Sequence, residues 1–423
     1  MRKLLSVTFF SGLLTLLRMS SGFVIAKAVA IYTGPGGMAM MGQVQSFVTA
    51  INGVVTSPAG NGLVRYTAEN YEAGFDRCAP WWNASLTWVL RLLAVVVPLT
   101  ILAAKPLAIW LFGDAQYIWL VIVAALCLPL AAANGIVASV INGQQQYKRY
   151  IGLGTVSVIC ATAAMLSMIV VARLAGALLA AVIFTAASGV VMIVSSLRQP
   201  WFQRKYWVGR IDHAALNDIR SYLLMTTSSA VCAALTMIVT RNVLIEAVGL
   251  ENAGYWQAVY KVSEVYLGVI TMALATYYLP RLSTVGPASA IRAEIFATAK
   301  IIVPVASLLA LAVYLLRDIA ISVLFTEAFR PARDLFALQL IADVVKIASW
   351  LLAYGMIARK ATLWFIGSEV FFSATLPILA AYFVRTMGVE GANVAYLVNY
   401  ILYLAFLMVF SRQYLSGGEA KQL

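Results

Sequence analysis

The chain has 423 residues, 62% of them hydrophobic and 11% charged, with a net charge of +13 from 30 Lys and Arg against 17 Asp and Glu. A soluble domain is about 45–50% apolar and about 25% charged, and a chain of this length has too little interior to hide such a surplus. Soluble globular enzyme, disordered chain and disulfide scaffold are excluded, and the mean hydropathy of +0.88 assigns the chain to a bilayer.

Met1-Arg2-Lys3 and the run 4–17 imitate a signal peptide. Arg18 interrupts the run, apolar sequence resumes over 23–31, and no small-residue cleavage site follows cleanly, so a first transmembrane helix is expected instead. Apolar runs of about 20 residues then recur to the end of the chain. The expected spans are 5–31, 39–64, 81–104, 117–141, 151–171, 175–197, 221–247, 255–279, 298–316, 334–358, 362–384 and 391–411. The pair within 151–197, divided between Arg173 and Gly176, is expected to be a helical hairpin.

The expected organisation is an N-terminal six-helix lobe over 1–197, a basic cytoplasmic connector over 198–220, a C-terminal six-helix lobe over 221–411 and a cytoplasmic tail over 412–423. The connector carries Arg198, Arg204, Lys205, Arg210 and Arg220 with Trp201, Tyr206 and Trp207, the composition of an interfacial helix lying on anionic lipid. Sorted by the gaps between spans, 18 basic residues fall on the side of both termini and six on the other. The positive-inside bias places both termini in the cytoplasm and accounts for most of the positive charge without nucleic acid as a partner.

Local echoes suggest a duplication. Leu107-Ala108-Ile109-Trp110-Leu111-Phe112-Gly113-Asp114 resembles the stretch from Ile319 to Glu327, each after an odd-numbered span. The second spans of both halves follow Gly-containing turns, at 34–37 and 249–254, and end at Arg65 and Arg281. With six spans per half the two repeats share one orientation, so a pseudo-two-fold axis along the membrane normal is expected, with the binding site between the lobes near the midplane.

Nine charged residues fall more than three residues inside the ends of the spans: Arg18, Lys27, Arg91, Arg241, Lys261, Glu264, Asp343, Lys346 and Glu369. Each costs about 3 kcal/mol at the centre of a lipid-facing helix, so most are expected to face a bundle interior or a wet cavity. Six are basic and three acidic, which suits an anion, and the guanidinium fork suits phosphate in particular. The substrate-binding candidates are therefore Arg18, Lys27, Arg91, Arg241, Lys261 and Lys346. Glu264, Asp343 and Glu369 are the candidates for ion coupling, since a buried carboxylate can titrate in the working range. Lys261 with Glu264 and Asp343 with Lys346 are also i,i+3 neighbours that can form plain ion pairs. Arg18 and Lys27, nine residues apart, lie on roughly opposite faces of a straight helix, and Gly22 offers a bend between them. Asn52, Pro58, Gly60, Asn61 and Gly62 crowd the second span with helix breakers. Cys78, Cys127, Cys160 and Cys232 are dispersed and His213 stands alone, so no metal site or disulfide is expected, and without a Walker A motif no nucleotide cofactor either.

Ala26-Lys27-Ala28-Val29-Ala30 leading into Gly34-Pro35-Gly36-Gly37, then Leu315-Leu316-Arg317-Asp318, and Arg333-Asp334-Leu335-Phe336-Ala337-Leu338-Gln339-Leu340 with Asp343-Val344-Val345-Lys346, resemble the Wzx-type flippases of enterobacterial common antigen and O-antigen assembly. The likeness covers the whole chain and is densest from Leu315 to Glu369. It implies a member of the multidrug/oligosaccharidyl-lipid/polysaccharide exporter superfamily, an all-α polytopic fold of MATE type with twelve transmembrane helices in two lobes around a cationic lumen. It implies transfer of an undecaprenyl-pyrophosphate-linked oligosaccharide (lipid III or an O-antigen unit) from the cytoplasmic to the periplasmic leaflet of the bacterial inner membrane. A polysaccharide polymerase and a chain-length regulator are the implied partners, and Arg18 and Lys27 the luminal basic residues. The rivals are a cation-coupled multidrug antiporter of the same superfamily, which calls for an acid-dominated cavity, and a membrane enzyme, which calls for a longer external loop.

Overall fold

The structure is a computed structural model describing residues 2–209, 211–359 and 361–416, with side chains described from residue 12 onward apart from 61, 221, 222, 225, 275, 276 and 416. Among the described residues every regular element is helical. In chain order they are α1 (Arg2–Thr56), α2 (Asn61–Asn70), α3 (Phe75–Leu102), α4 (Ala104–Phe112), α5 (Ile118–Gly143), α6 (Tyr147–Ser196), α7 (Arg204–Trp207), α8 (His213–Val248), α9 (Leu250–Ala273), α10 (Leu279–Thr284), α11 (Ala288–Leu315), α12 (Arg317–Leu324), α13 (Phe336–Ala358), α14 (Thr362–Met387) and α15 (Glu390–Ser416).

Nine stretches among the described residues are long and apolar enough to cross a membrane, and two of them, Gly12–Ala73 and Tyr147–Ser196, run to 62 and 50 residues. At about 1.5 Å per residue these are too long for one crossing of a core about 30 Å thick, and each is broken. In α1 the break is Gly34, at φ 66 and ψ −166, a backbone that a side chain resists, followed by Pro35, which lacks the N–H to continue the helix. In α6 it is Arg173, at φ 46, where the sequence places the hairpin. Helix α9 corresponds to the expected eighth span but is not among the nine, because Glu251, Lys261 and Glu264 dilute its apolar character. The chain is a multi-pass membrane protein.

Two compact units emerge. The first comprises residues 1–32 and 40–235, the second residues 33–39 and 236–423. In the first, Trp82, Trp201, Tyr206, Val137, Val140 and Leu63 form the core. In the second, Leu282, Ile347, Leu351, Met356, Phe372, Leu407 and Tyr414 do so. Outward surfaces are apolar: Val171, Leu102 and Leu363 are more than four-fifths exposed. Charge, by contrast, is buried at Arg241, Asp343 and Lys346. That inversion suits hydrocarbon, where only internal partners satisfy polar groups.

Each unit carries the same succession. A long helix (α3 or α11) turns into a short one (α4 or α12), then through a 3₁₀ segment (Ala115–Tyr117 or Glu327–Leu335) into the next long helix (α5 or α13). The echoing stretches 107–114 and 319–327 fall on these short helices and the turns that end them. The second spans also share an interruption. The first unit has the 3₁₀ turn Ser57–Ala59 before α2, and the second has the π-helical turn Leu274–Tyr278 before α10. In the first unit Ser139 on α5 donates to the Ala59 carbonyl, and Thr227 Oγ1 lies 3.0 Å from Ser57 Oγ. The break is thus held by side chains from two other helices.

The connector differs from its expectation. Its last residues, from His213, belong to α8, and α7 is a single turn. Trp201 and Tyr206 are buried, Trp207 stacks on Trp82 of α3 at 5.3 Å, and its Nε1 donates to the Trp201 carbonyl at 3.1 Å. These aromatics turn into the core of the first unit instead of lying on lipid, because Phe75 and Trp82 offer a dry aromatic surface. Arg210 of the connector and residues 417–423 of the tail lie outside the described residues, while Arg412 to Ser416 continue α15.

Candidate functional site

The nine intramembrane charges divide between the units, and the two units treat them differently. In the first, α1 runs through Gly22 without a break. Arg18 is exposed, Lys27 half-buried, as their opposite-face spacing requires. The Arg18 guanidinium lies beside Gly154 of α6, whose missing side chain leaves room for Leu14, one turn earlier on α1. Arg91 on α3 is exposed and sits over the Trp88 ring, 5.5 Å from its centroid. Among the described residues neither Arg18 nor Arg91 has a carboxylate partner.

The second unit buries three of its six charges, Arg241, Asp343 and Lys346, and leaves Glu264 exposed. Gln339, Asp343, Lys346 and Trp350 recur at helical spacing along one face of α13. Asp343, 0% exposed, accepts from Tyr266 Oη of α9 at 2.8 Å and from Gln339 Nε2 at 3.1 Å. Lys346, 8% exposed, donates to Tyr396 Oη of α15 at 2.8 Å. Its ammonium lies 4.8 Å from the Trp350 ring centroid, 5.4 Å from that of Tyr396 and 5.5 Å from that of Tyr400. Desolvated cation–π contacts are worth about 2 kcal/mol or more, which helps to offset the cost of burying the charge. The i,i+3 pair open to Asp343 and Lys346 is not made: among the described residues they form no ion pair, since each is taken up by tyrosine on a neighbouring helix.

Arg241 on α8 is 1% exposed, and two of its N–H donors, Nε at 3.2 Å and Nη2 at 2.7 Å, converge on Gln257 Oε1 of α9 beside the Trp256 ring. Lys261 pairs with Glu264 at 2.8 Å, the structural reading of that i,i+3 spacing. Glu369 on α14 is half-buried. No group of three His, Cys, Asp or Glu able to hold a metal occurs among the described residues.

The structure thus brings Asp343 and Lys346 into one polar and aromatic cluster, clamps Arg241 separately, ties up Lys261, and leaves Arg18 and Arg91 open. The clamping residues Gln257, Tyr266, Gln339, Tyr396 and Tyr400 escape a reading that scores only ionisable groups. The signal for part of the cluster was present: Tyr396, Tyr400 and Tyr403 recur at i, i+4 and i+7 on a membrane-spanning helix.

The family described as "Polysaccharide biosynthesis protein" matches residues 83–334, more than half of the chain. The chain belongs to that family. It is 26% identical over 394 residues to the lipid III flippase of Escherichia coli (strain K12), covering 92% of this chain and 94% of the relative. Among solved structures, the lipid II flippase MurJ in an inward closed conformation superposes with a TM-score of 0.69 at 12% identity, covering 96% of this chain and 87% of that one. The inward-facing conformation of a multidrug resistance MATE family transporter of the MOP superfamily gives 0.68 at 14% identity, covering 97% of this chain and 100% of that one. The fold is that of the MATE and MurJ transporters.

Proposed function

We propose that this chain is a flippase that carries an undecaprenyl-pyrophosphate-linked oligosaccharide, lipid III or an O-antigen unit, from the cytoplasmic to the periplasmic leaflet of the bacterial inner membrane. The observation that carries the reading is the pair of exposed guanidiniums, Arg18 and Arg91, inside membrane spans and without carboxylate partners among the described residues. Such groups persist only where water or an anion meets them, and a pyrophosphate is an anion matched to the guanidinium fork. The likeness to a lipid III flippase over 92% of the chain supports the same substrate class.

The chemistry required is transfer without reaction. The head group has to cross hydrocarbon while the polyprenyl tail remains in lipid, so the protein supplies a basic, hydrated path for phosphate and glycan, and alternating access moves it across. No bond is made or broken, and the chain needs neither catalytic residues nor cofactor. Arg18, Lys27 and Arg91 bind the pyrophosphate. Arg241, Lys261 and Lys346 are the basic candidates of the second unit. A polymerase and a chain-length regulator take the product on the periplasmic side.

Reconstitution tests this directly. Vesicles holding the protein should flip the polyprenyl-pyrophosphate glycan, Arg18→Ala should slow the transfer about tenfold or more, and Arg18→Lys should restore part of it. Unchanged transfer in Arg18→Ala and Arg91→Ala alike would remove the binding role.

A cation-coupled multidrug antiporter is the second reading, favoured by Asp343, buried and held by Tyr266 and Gln339. If coupling passes through the acids, Asp343→Asn, Glu264→Gln or Glu369→Gln should abolish proton-driven transport while leaving the protein folded. Export of a cationic dye by the wild type, with no glycan transfer, selects the antiporter.

A further inference from the structure

A cavity of about 280 Å³ opens at the surface of the second unit, between the start of α11 and the end of α15. Its polar lining is basic: Arg292, Arg412 and Ser411. Arg292 Nη2 donates to Ser411 Oγ at 2.9 Å, which fixes the guanidinium between the two helices and engages one of its five N–H donors. The nearby acid of α11, Glu294, is engaged by Arg281 at 3.3 Å and does not line the cavity.

The apolar lining has an order. Phe296 lies one turn beyond Arg292 along α11, and Met408 one turn before Arg412 along α15. Phe296 is 54% exposed, Met408 51% and Val409 71%. On both helices an arginine stands at the helix end, and a large exposed apolar side chain stands one turn deeper into the apolar run. A phospholipid presents the same order, phosphate at the surface and acyl chain below. Cations at that level attract anionic lipid by about 1 kcal/mol each, and Arg adds bidentate geometry toward phosphate oxygens.

We propose that this trough binds one anionic phospholipid, with Arg292 and Arg412 on its phosphate and Phe296, Met408 and Val409 along its acyl chains. The site is separate from the residues assigned to substrate, so its occupant is structural or regulatory lipid.

Native mass spectrometry of the full-length protein in mild detergent, titrated with phosphatidylglycerol and with phosphatidylcholine, tests the site. The wild type should retain one phosphatidylglycerol in clear preference to phosphatidylcholine. Arg292→Gln and Arg412→Gln should each weaken retention by roughly fivefold, the double variant should lose the preference, and Arg330→Gln, far along the chain and exposed, should keep it. Val409→Trp leaves both arginines in place and fills the trough, so it should also reduce retention, which keeps the test decisive if the double variant misfolds. A preference that survives in both the double variant and Val409→Trp overturns the proposal. So does displacement of the lipid by millimolar inorganic phosphate, which marks a soluble-anion site, or stoichiometric competition by undecaprenyl pyrophosphate, which marks a substrate site.

Discussion

Removing the Gln257 carbonyl strips Arg241 of two hydrogen bonds at a position that is 1% exposed. Gln257→Leu should therefore destabilise the protein by about 2–3 kcal/mol, since a buried charge pays heavily for each lost partner. Gln257→Glu, which keeps the acceptor, should be tolerated, and thermal unfolding in detergent reads the difference. Tyr266→Phe deletes one of the two hydrogen bonds to buried Asp343 and should cost about 1–3 kcal/mol by the same measurement. The charges themselves were legible in the sequence, because an ionisable residue in an apolar run announces itself. Their pairing with particular partners was not. A tyrosine or glutamine in a membrane helix is compositionally ordinary, and Tyr396 acquires its meaning only when α13 and α15 bring Lys346 within 2.8 Å of it. The same limit applies to Asp343 and Lys346: their spacing permits an ion pair, and only the packing of α9 and α15 against α13 shows each drawn to a tyrosine instead.

At the scale of the element, the interrupted second spans offer the clearest intervention. Pro58 and Gly60 keep α1 from running into α2, and Ser139 fixes the resulting turn through the Ala59 carbonyl. Replacing both, as Pro58→Ala with Gly60→Ala, should favour a continuous helix and lower transport while the protein still reaches the membrane, which immunoblotting of membranes and a glycan-export assay measure side by side. Gly254→Ala should be more damaging, because an added methyl meets the backbone carbonyl of Pro35 and one of the two backbones has to move. The breaker-rich composition of 52–62 revealed an irregularity there, and the Gly-Pro and Arg173 turns were equally visible. The π-helical turn at Leu274–Tyr278 was not, since its only mark is Pro280, which lies just beyond it and lacks the N–H to bond back into the turn. The inward turn of Trp201, Tyr206 and Trp207 was also hidden: a basic aromatic segment reads as interfacial until Phe75 and Trp82, more than a hundred residues earlier, are seen beneath it.

For the whole molecule, length and composition carried the class, and the charge count supplies an expected orientation. With 18 basic residues on the terminal side against six on the other, a C-terminal green fluorescent protein fusion should fluoresce and a C-terminal alkaline phosphatase fusion should be inactive; the opposite pair of results would invert the topology. The order of helices within each unit repeats, as the short echoes around Trp110 and Ile321 suggested, because a helix, a short helix and a 3₁₀ turn leave a pattern in sequence. The placement of a shared path for substrate is a property of the assembled chain that no local pattern encodes. The central claim is that exposed arginines in the spans receive a polyprenyl pyrophosphate. The most direct measurement is the rate at which purified protein in liposomes transfers an undecaprenyl-pyrophosphate-linked oligosaccharide between leaflets, scored by access of an external lectin or glycosidase. Wild-type protein should accelerate transfer well above protein-free vesicles, with Arg18→Ala slowed about tenfold or more and Arg18→Lys between the two. Transfer no faster than in empty vesicles would contradict the flippase account, and transfer equally fast in wild type and Arg18→Ala at matched protein density would contradict the role given to the arginine.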